Sequence, residues 1–128
     1  MVIIFKSEKA LRYLFKYGRV VTYRIKKRKD TNKLVSILPD RGKPSIAKGF
    51  VDLICELKEN IKPELMNYRK RSGFKTLYEW INEITLLNPT KNPYTEPQYG
   101  YLYQVTLPYE DWIELDSDQI MKRIKEKK

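Results

Sequence analysis

The side chains available for chemistry in this chain are mainly basic, aromatic and hydroxyl groups. The 128 residues include no histidine and a single cysteine, Cys55. The lack of histidine excludes Ser-His-Asp and Cys-His catalysis and His-ligated metal sites. One cysteine forms no internal disulfide and completes no cysteine-based zinc site. Any catalysis would use Lys, Glu, Asp, Tyr, Thr or Ser, and we expect no metal and no cofactor.

The densest basic stretch is GRVVTYRIKKRK at residues 18–29, which ends in four consecutive cations. Contacts to a phosphate backbone need several flexible cations in one patch, so this stretch is a candidate nucleic-acid site. The alternative interpretation is a strand that ends in a solvated charged turn. The candidate nucleic-acid-binding residues here are Arg19, Thr22, Arg24, Lys26, Lys27, Arg28 and Lys29.

A second basic cluster, Arg69, Lys70 and Arg71, runs directly into Ser72-Gly73-Phe74. Gly73 allows close approach of a backbone, and the Ser72 hydroxyl is a candidate ligand contact. The alternative is that Phe74 simply covers the start of the following helix. We add Arg69, Lys70, Arg71 and Ser72 to the candidate nucleic-acid-binding residues.

The charge of the whole chain favours a polyanionic partner. The formal net charge is +10, whereas residues 110–118 carry five acidic side chains and no cation. A basic domain of this kind fits nucleic acid, with RNA as the expected partner. Two alternatives stay open: a Lys- and Glu-rich composition of the thermophilic type, and a protein–protein module whose charges only keep it soluble. Protein partners and oligomeric state are not predicted.

The length predicts one domain over residues 1–128, with a core at about 2–107 and a C-terminal helix at about 117–127. Hydrophobic residues make up 41% of the chain, which is typical of a packed globule. No segment resembles a signal peptide or approaches the ~20 apolar residues of a membrane span. The sequence therefore predicts a cytoplasmic protein without a membrane partner.

The pattern of elements begins with a strand at Val2–Phe5 and a helix at 8–17, capped by Ser7 and ended by Gly18. In the next strand, Arg19–Ile25, alternation places Val20, Thr22 and Arg24 on one side and Val21, Tyr23 and Ile25 on the other. Strands at Leu34–Leu38 and Ser45–Lys58 follow. In the second, Gly49 is a candidate bulge, and Cys55 is expected to be buried on the side of Val51, Leu53 and Leu57.

The clearest local signal is Thr76-Leu77-Tyr78-Glu79, a T-x-x-E capping box that begins a helix bearing Trp80 as a core residue. Residues 101–107 alternate as a strand, and Ser117 is expected to cap a last helix. Few helices separate the middle strands, which argues against parallel winding. The predicted fold class is α+β: a small, mostly antiparallel β-barrel with flanking helices.

Three segments carry a family resemblance: Arg19-Val20-Val21-Thr22-Tyr23-Arg24, Arg71-Ser72-Gly73-Phe74, and Gly100-Tyr101-Leu102-Tyr103-Gln104-Val105. Together with the element order they resemble the ASCH domain of the PUA-like superfamily, over roughly residues 2–107. The resemblance implies a PUA-like barrel with a cleft beside it, roofed by the first helix, that binds RNA or a nucleobase.

The resemblance also implies an enzymatic alternative, because some relatives hydrolyse N4-acylated cytidine with a K-x-x-T pattern and a later Glu. Arg19 stands where those enzymes have lysine, and a guanidinium stays charged where a lysine can become a base. We therefore expect a binding module. If the chain is instead a hydrolase or ribonuclease, Thr22, Glu56 and a lysine, Lys48 or Lys6, are the candidate catalytic residues.

Overall fold

The computed structural model describes residues 2–29, 31–58, 61–87 and 99–108. In chain order the elements are β1 (Val2–Ile4), α1 (Glu8–Tyr17), β2 (Arg19–Arg24), β3 (Lys33–Leu38), β4 (Ala47–Leu57), α2 (Lys62–Tyr68), a 3-10 turn (Arg69–Arg71), α3 (Leu77–Leu87) and β5 (Gly100–Thr106). The predicted α+β class is confirmed. The helix predicted at 117–127 and the acidic stretch at 110–118 lie outside the described residues.

The five strands form one curled, mixed sheet in the order β1-β3-β4-β5-β2. β1 pairs with β3 in parallel, and the other three pairings are antiparallel. The sheet is a half-barrel, which agrees with the predicted small and mostly antiparallel barrel in its coarse form. β1 and β2 are its two edge strands, so the open side of the half-barrel lies between them.

Helix α1 has the bounds that its caps predict. The Ser7 hydroxyl accepts a hydrogen bond from the Ala10 N–H at 3.3 Å, which satisfies a free donor at the helix N-terminus. At the other end Gly18 has φ +83° and donates its N–H to the Leu14 carbonyl at 2.7 Å. The stripe of Ala10, Leu11, Leu14 and Phe15 is buried.

The sheet buries side chains on both faces, in two separate cores. The first core joins the α1 stripe to β1, β3, β4, Val20 of β2, and Tyr103 and Val105 of β5. The second core packs α2 and α3 against the opposite face, where it includes Val21 and Leu102. Successive residues of a strand point to opposite faces, so β2 and β5 contribute to both cores in turn.

Gly49 is not a bulge, contrary to the sequence prediction. It pairs in regular register with Val35 of β3, and the irregularity in β4 falls between Leu53 and Cys55. A Cβ atom at Gly49 would lie 2.8 Å from Val105 Cγ1 and 2.9 Å from Ile37 Cδ1. Glycine is therefore needed here because two side chains of the first core cross over its backbone.

The prediction that Val51, Leu53, Cys55 and Leu57 share one buried side is wrong. Leu53 is 39% exposed. It follows Val51, the last β4 residue that pairs with β3, so β3 does not lie beside it. The extra residue at the irregularity then shifts the alternation, and Leu57 joins the second core. Cys55 is half-buried, and this burial raises the pKa of its thiol, with a smaller contribution from Glu64.

Helix α3 begins as the capping box predicts, with the Glu79 N–H donating to the Thr76 hydroxyl at 3.1 Å. The Glu79 carboxylate accepts a hydrogen bond from Lys9 Nζ at 2.7 Å, which ties α3 to α1. Trp80 is buried as expected, with its ring stacked on Phe74 at a centroid distance of 6.4 Å. These contacts hold the start of α3 beside α1.

No helix among the described residues is long and apolar enough to cross a membrane.

Candidate nucleic-acid pocket

A pocket of about 530 Å³ runs along the edge strand β2, between the β1–α1 junction and α3; we call it the basic pocket. Since β2 is an edge strand, residues from both of its faces reach the pocket. The residues that line it are Ile4, Phe5, Lys6, Ser7, Ala10, Val21, Thr22, Tyr23, Arg24, Ile25, Lys26, Lys27, Arg28, Arg41, Ser72, Phe74, Trp80, Glu83, Ile84 and Leu87.

Arg24 is a partly buried cation of this pocket. It stands opposite Tyr101 at the end of β2, and its guanidinium carbon lies 5.2 Å from the centroid of the Phe5 ring. That distance is within the range of a cation–π contact. Its Nε is buried and has no hydrogen-bond partner among the described residues. Desolvation and, to a smaller extent, the nearby Arg28 lower the pKa of Arg24 to about 10, while Tyr103 opposes the shift, so the group stays charged at neutral pH.

Arg28 closes part of the gap between the two edges of the half-barrel. Its backbone N–H donates to the Tyr103 hydroxyl at 2.6 Å, and its Nη2 donates to the Val2 carbonyl at 2.7 Å. These two bonds connect the segment after β2 to β5 and to β1. Arg28 is therefore fixed in position by the fold, unlike a cation on a solvated turn.

One wall of the basic pocket is apolar. Phe74 and Trp80 contribute stacked rings, and Ile84 and Leu87 continue that surface along α3. Lys9 also contacts the Phe74 ring, with its Nζ 5.9 Å from the ring centroid. A wall of this kind suits a planar or apolar group, as ligand pockets generally combine apolar lining with a few polar groups.

The charges that line the basic pocket are strongly unbalanced. The cations are Lys6, Arg24, Lys26, Lys27, Arg28 and Arg41, whereas Glu83 is the one acid among its described lining residues. Such an arrangement raises the local concentration of anions. Together with the apolar wall it is suited to an anionic ligand that also carries a ring.

Thr22 and Ser72 also line the basic pocket, with different local roles. Thr22 is almost fully buried and stands opposite Tyr103 of β5. The Ser72 hydroxyl donates to the Arg69 carbonyl at 2.6 Å and accepts from the Phe74 N–H at 3.2 Å. The Ser72 hydroxyl therefore already serves to order the loop that presents Phe74.

The structure does not bring Arg19 together with Thr22 and Arg24. Arg19 and Thr22 are three positions apart, and a strand places such a pair on opposite faces. Arg19 is exposed and lines a second pocket, whose walls include Leu34, Phe50 and Asp52. Its guanidinium therefore belongs to a different surface from the basic pocket.

The second basic cluster also lies apart from the basic pocket. Arg69 Nη1 donates to the carbonyl of Lys75 at 2.6 Å and so stabilises the loop before α3. Lys70 and Arg71 are exposed and do not line the pocket, and neither does Lys29. Of the seven candidates in residues 18–29, five line the pocket: Thr22, Arg24, Lys26, Lys27 and Arg28.

The three residues proposed for catalysis do not share a site. Thr22 lines the basic pocket, whereas Glu56 and Lys48 are exposed on β4 and do not. Lys6, the other lysine considered, does line it. No group of three His, Cys, Asp or Glu residues suited to a metal occurs in the part of the chain that the structure describes.

Sequence reasoning missed Phe5, Arg41 and Glu83 as pocket residues. Phe5 follows β1, whose parallel pairing with β3 decides where the ring lies. Arg41 comes from the turn after β3, and Glu83 from the middle of α3. The sequence signal for Glu83 was its position one turn from Trp80 and Leu87 on the same helix, but only the packing of α3 shows which face meets the pocket.

Comparisons of the chain with protein-family models, with curated proteins and with solved structures give no match.

Proposed function

We propose that this chain is an RNA-binding module that holds a nucleotide of a single strand in the basic pocket. The observation that carries the proposal is the combination of six cations, one acid and an aromatic wall around a single pocket. Cations would contact phosphate oxygens, and the wall of Phe74 and Trp80 would receive a base or sugar. Single-strand binders combine the same two features, a basic groove and aromatic surfaces.

The fold supports the proposal because it fixes the central cations before any ligand arrives. Arg28 is tied to β1 and β5, and Arg24 is placed against Phe5. A preorganised site loses less conformational entropy on binding than one made of free side chains. RNA is preferred to DNA in this proposal because of the resemblance to the ASCH domain.

Hydrolysis of an acylated cytidine or of RNA is the alternative, and the geometry favours it less. That chemistry was expected to use Thr22, Glu56 and either Lys48 or Lys6. Thr22 and Lys6 line the basic pocket, but Glu56, the one carboxylate of the set, and Lys48 lie outside it. Arg19, which takes the place of the lysine in the hydrolases that the sequence resembles, also lies elsewhere. Binding without turnover is therefore the function that we propose.

The direct test is a titration of labelled single-stranded RNA with the protein, followed by fluorescence anisotropy over a series of salt concentrations. We expect binding that weakens steeply with salt, because cations that contact phosphates release counterions. DNA of the same sequence serves as the comparison and should bind more weakly. Absence of RNA binding even at about 50 mM salt would contradict the proposal.

A further inference from the structure

Arg24 and Arg28 contribute two guanidinium groups to the lining of the basic pocket. Both line it, and both are held by contacts with the fold: Arg24 by the Phe5 ring, and Arg28 by the Tyr103 hydroxyl and the Val2 carbonyl. They are near enough for Arg28 to lower the pKa of Arg24. The fold thus keeps two like charges together in a partly desolvated place.

Within the described part of the chain, Arg24 has no carboxylate partner. The ion pairs of those residues include Lys9 with Glu79 and Arg12 with Glu8, and Arg24 is in none of them. Its Nε is buried and makes no hydrogen bond there. A buried charged donor that lacks a partner is costly, and an anion bound in the pocket would remove this cost.

The charge of that anion can be inferred from the number of fixed cations. A phosphodiester inside a strand carries one negative charge, whereas a phosphomonoester carries about −1.5 to −2 at neutral pH and has three free oxygens. A guanidinium binds two phosphate oxygens at once through its fork of donors. Two fixed guanidinium groups therefore match a phosphomonoester better than a phosphodiester.

We propose that the basic pocket recognises a terminal phosphate of a nucleotide chain, with the Arg24–Arg28 pair on the phosphomonoester and the wall of Phe74 and Trp80 against the terminal nucleoside. This inference rests on the proposed RNA binding and adds the part of the RNA that is recognised. The exposed Lys26 and Lys27 then contact the phosphodiesters that follow. The module in this view binds strand ends and discriminates against internal segments.

The test compares three RNA oligonucleotides of one sequence, about ten nucleotides long, a length within the site size of single-strand binders. The first carries a 5′-phosphate and a 3′-hydroxyl, the second a 5′-hydroxyl and a 3′-phosphate, and the third hydroxyls at both ends. We expect one phosphorylated strand to bind about tenfold more tightly than the strand with two hydroxyl ends, since its phosphate adds charge-assisted bonds to two guanidinium groups. Equal affinity for all three strands would overturn the inference.

Two variants assign the discrimination to Arg24. Arg24→Gln removes the charge, and Arg24→Lys keeps the charge but lacks both the Nε donor and the fork. We expect the ratio of the affinities for the phosphorylated and the hydroxyl end to fall to about one in Arg24→Gln and to shrink in Arg24→Lys, whatever affinity each variant loses for both ends. A preference that survives unchanged in Arg24→Gln would contradict the role given to this residue. The comparison of ends in the unmodified protein stands even if a variant fails to fold.

Competition with uridine 5′-monophosphate distinguishes a failure of the RNA-binding proposal from a failure of the end-recognition inference. If the unmodified protein binds the mononucleotide and no oligonucleotide, the phosphomonoester site stands with free nucleotides as its ligand, and the RNA-binding proposal fails. If RNA binds equally at all ends and the mononucleotide does not compete, RNA binding stands and the end-recognition inference fails.

Discussion

Reversing the charges of Lys26 and Lys27 should weaken the binding of single-stranded RNA by about 30-fold at ~100 mM salt. Both lysines line the basic pocket and both are exposed, so glutamate at these positions should leave the fold intact. Each lysine that contacts a phosphate contributes about one unit to the slope of log K against log salt. The Lys26→Glu/Lys27→Glu variant should therefore also show a slope shallower by about two units, measured by anisotropy.

The matched control is Lys48→Glu/Lys70→Glu, which changes the net charge of the protein by the same amount. Lys48 and Lys70 are exposed and lie outside the basic pocket. If RNA binds in the pocket, this control should lose far less affinity than the Lys26 and Lys27 variant. Equal losses in the two variants would mean that the overall charge of the protein, and not the pocket, attracts RNA.

Gly73→Ala should lower the free energy of unfolding by about 2–4 kcal/mol, since it combines backbone strain with overpacking. Gly73 has φ +91°, and a Cβ atom there would lie 2.7 Å from the Lys9 carbonyl oxygen and 3.0 Å from Tyr13 Cβ. These are atoms of α1 that cannot move away without displacing the helix. The substitution would therefore push the loop that presents Phe74 away from α1.

Gly42→Ala isolates the backbone contribution to this loss. Gly42 has φ +74°, and no atom of the residues that the structure describes lies within 4 Å of the position that its Cβ would take. We expect a loss of only about 1–2 kcal/mol, the cost of a left-handed conformation in a residue with a side chain. Chemical denaturation of the two variants measures the difference, and equal losses would show that the contact between Gly73 and α1 is not tight.

The parts of the fold that follow from local chemistry could be predicted from the sequence. Ser7, the apolar stripe of α1 and Gly18 give the bounds of that helix, because capping and periodicity act over only a few residues. Gly49 is a residue whose role could not be predicted from local chemistry. A glycine inside a strand indicates either a bulge or the close approach of other side chains, and only the pairing of β4 with both β3 and β5 shows that the second applies.

The candidate site could be predicted in part, for a similar reason. Thr22 and Arg24 follow from the alternation of β2. The same alternation separates Arg19 from them, although the R-x-x-T-x-R pattern by itself groups the three. Phe5 and Glu83 come from segments far apart in the sequence, which only the packing of β1 and α3 brings to one pocket. The sequence shows Arg24 and Arg28 as members of one basic stretch. The fixed position of Arg28 depends on bonds to Val2 and Tyr103 that no local pattern indicates.

The central claim is that the basic pocket along β2 receives RNA. The most direct test is a map of the changes in backbone amide chemical shifts during titration with a short single-stranded RNA. The account predicts that the largest changes fall at Lys6, Thr22, Arg28 and Glu83, which lie far apart in the sequence and meet only in this pocket. Arg19, at the second pocket, should change little. Changes centred on Arg19 and Phe50, or on the 3-10 turn at 69–71, with none at residues 22–28, would contradict it.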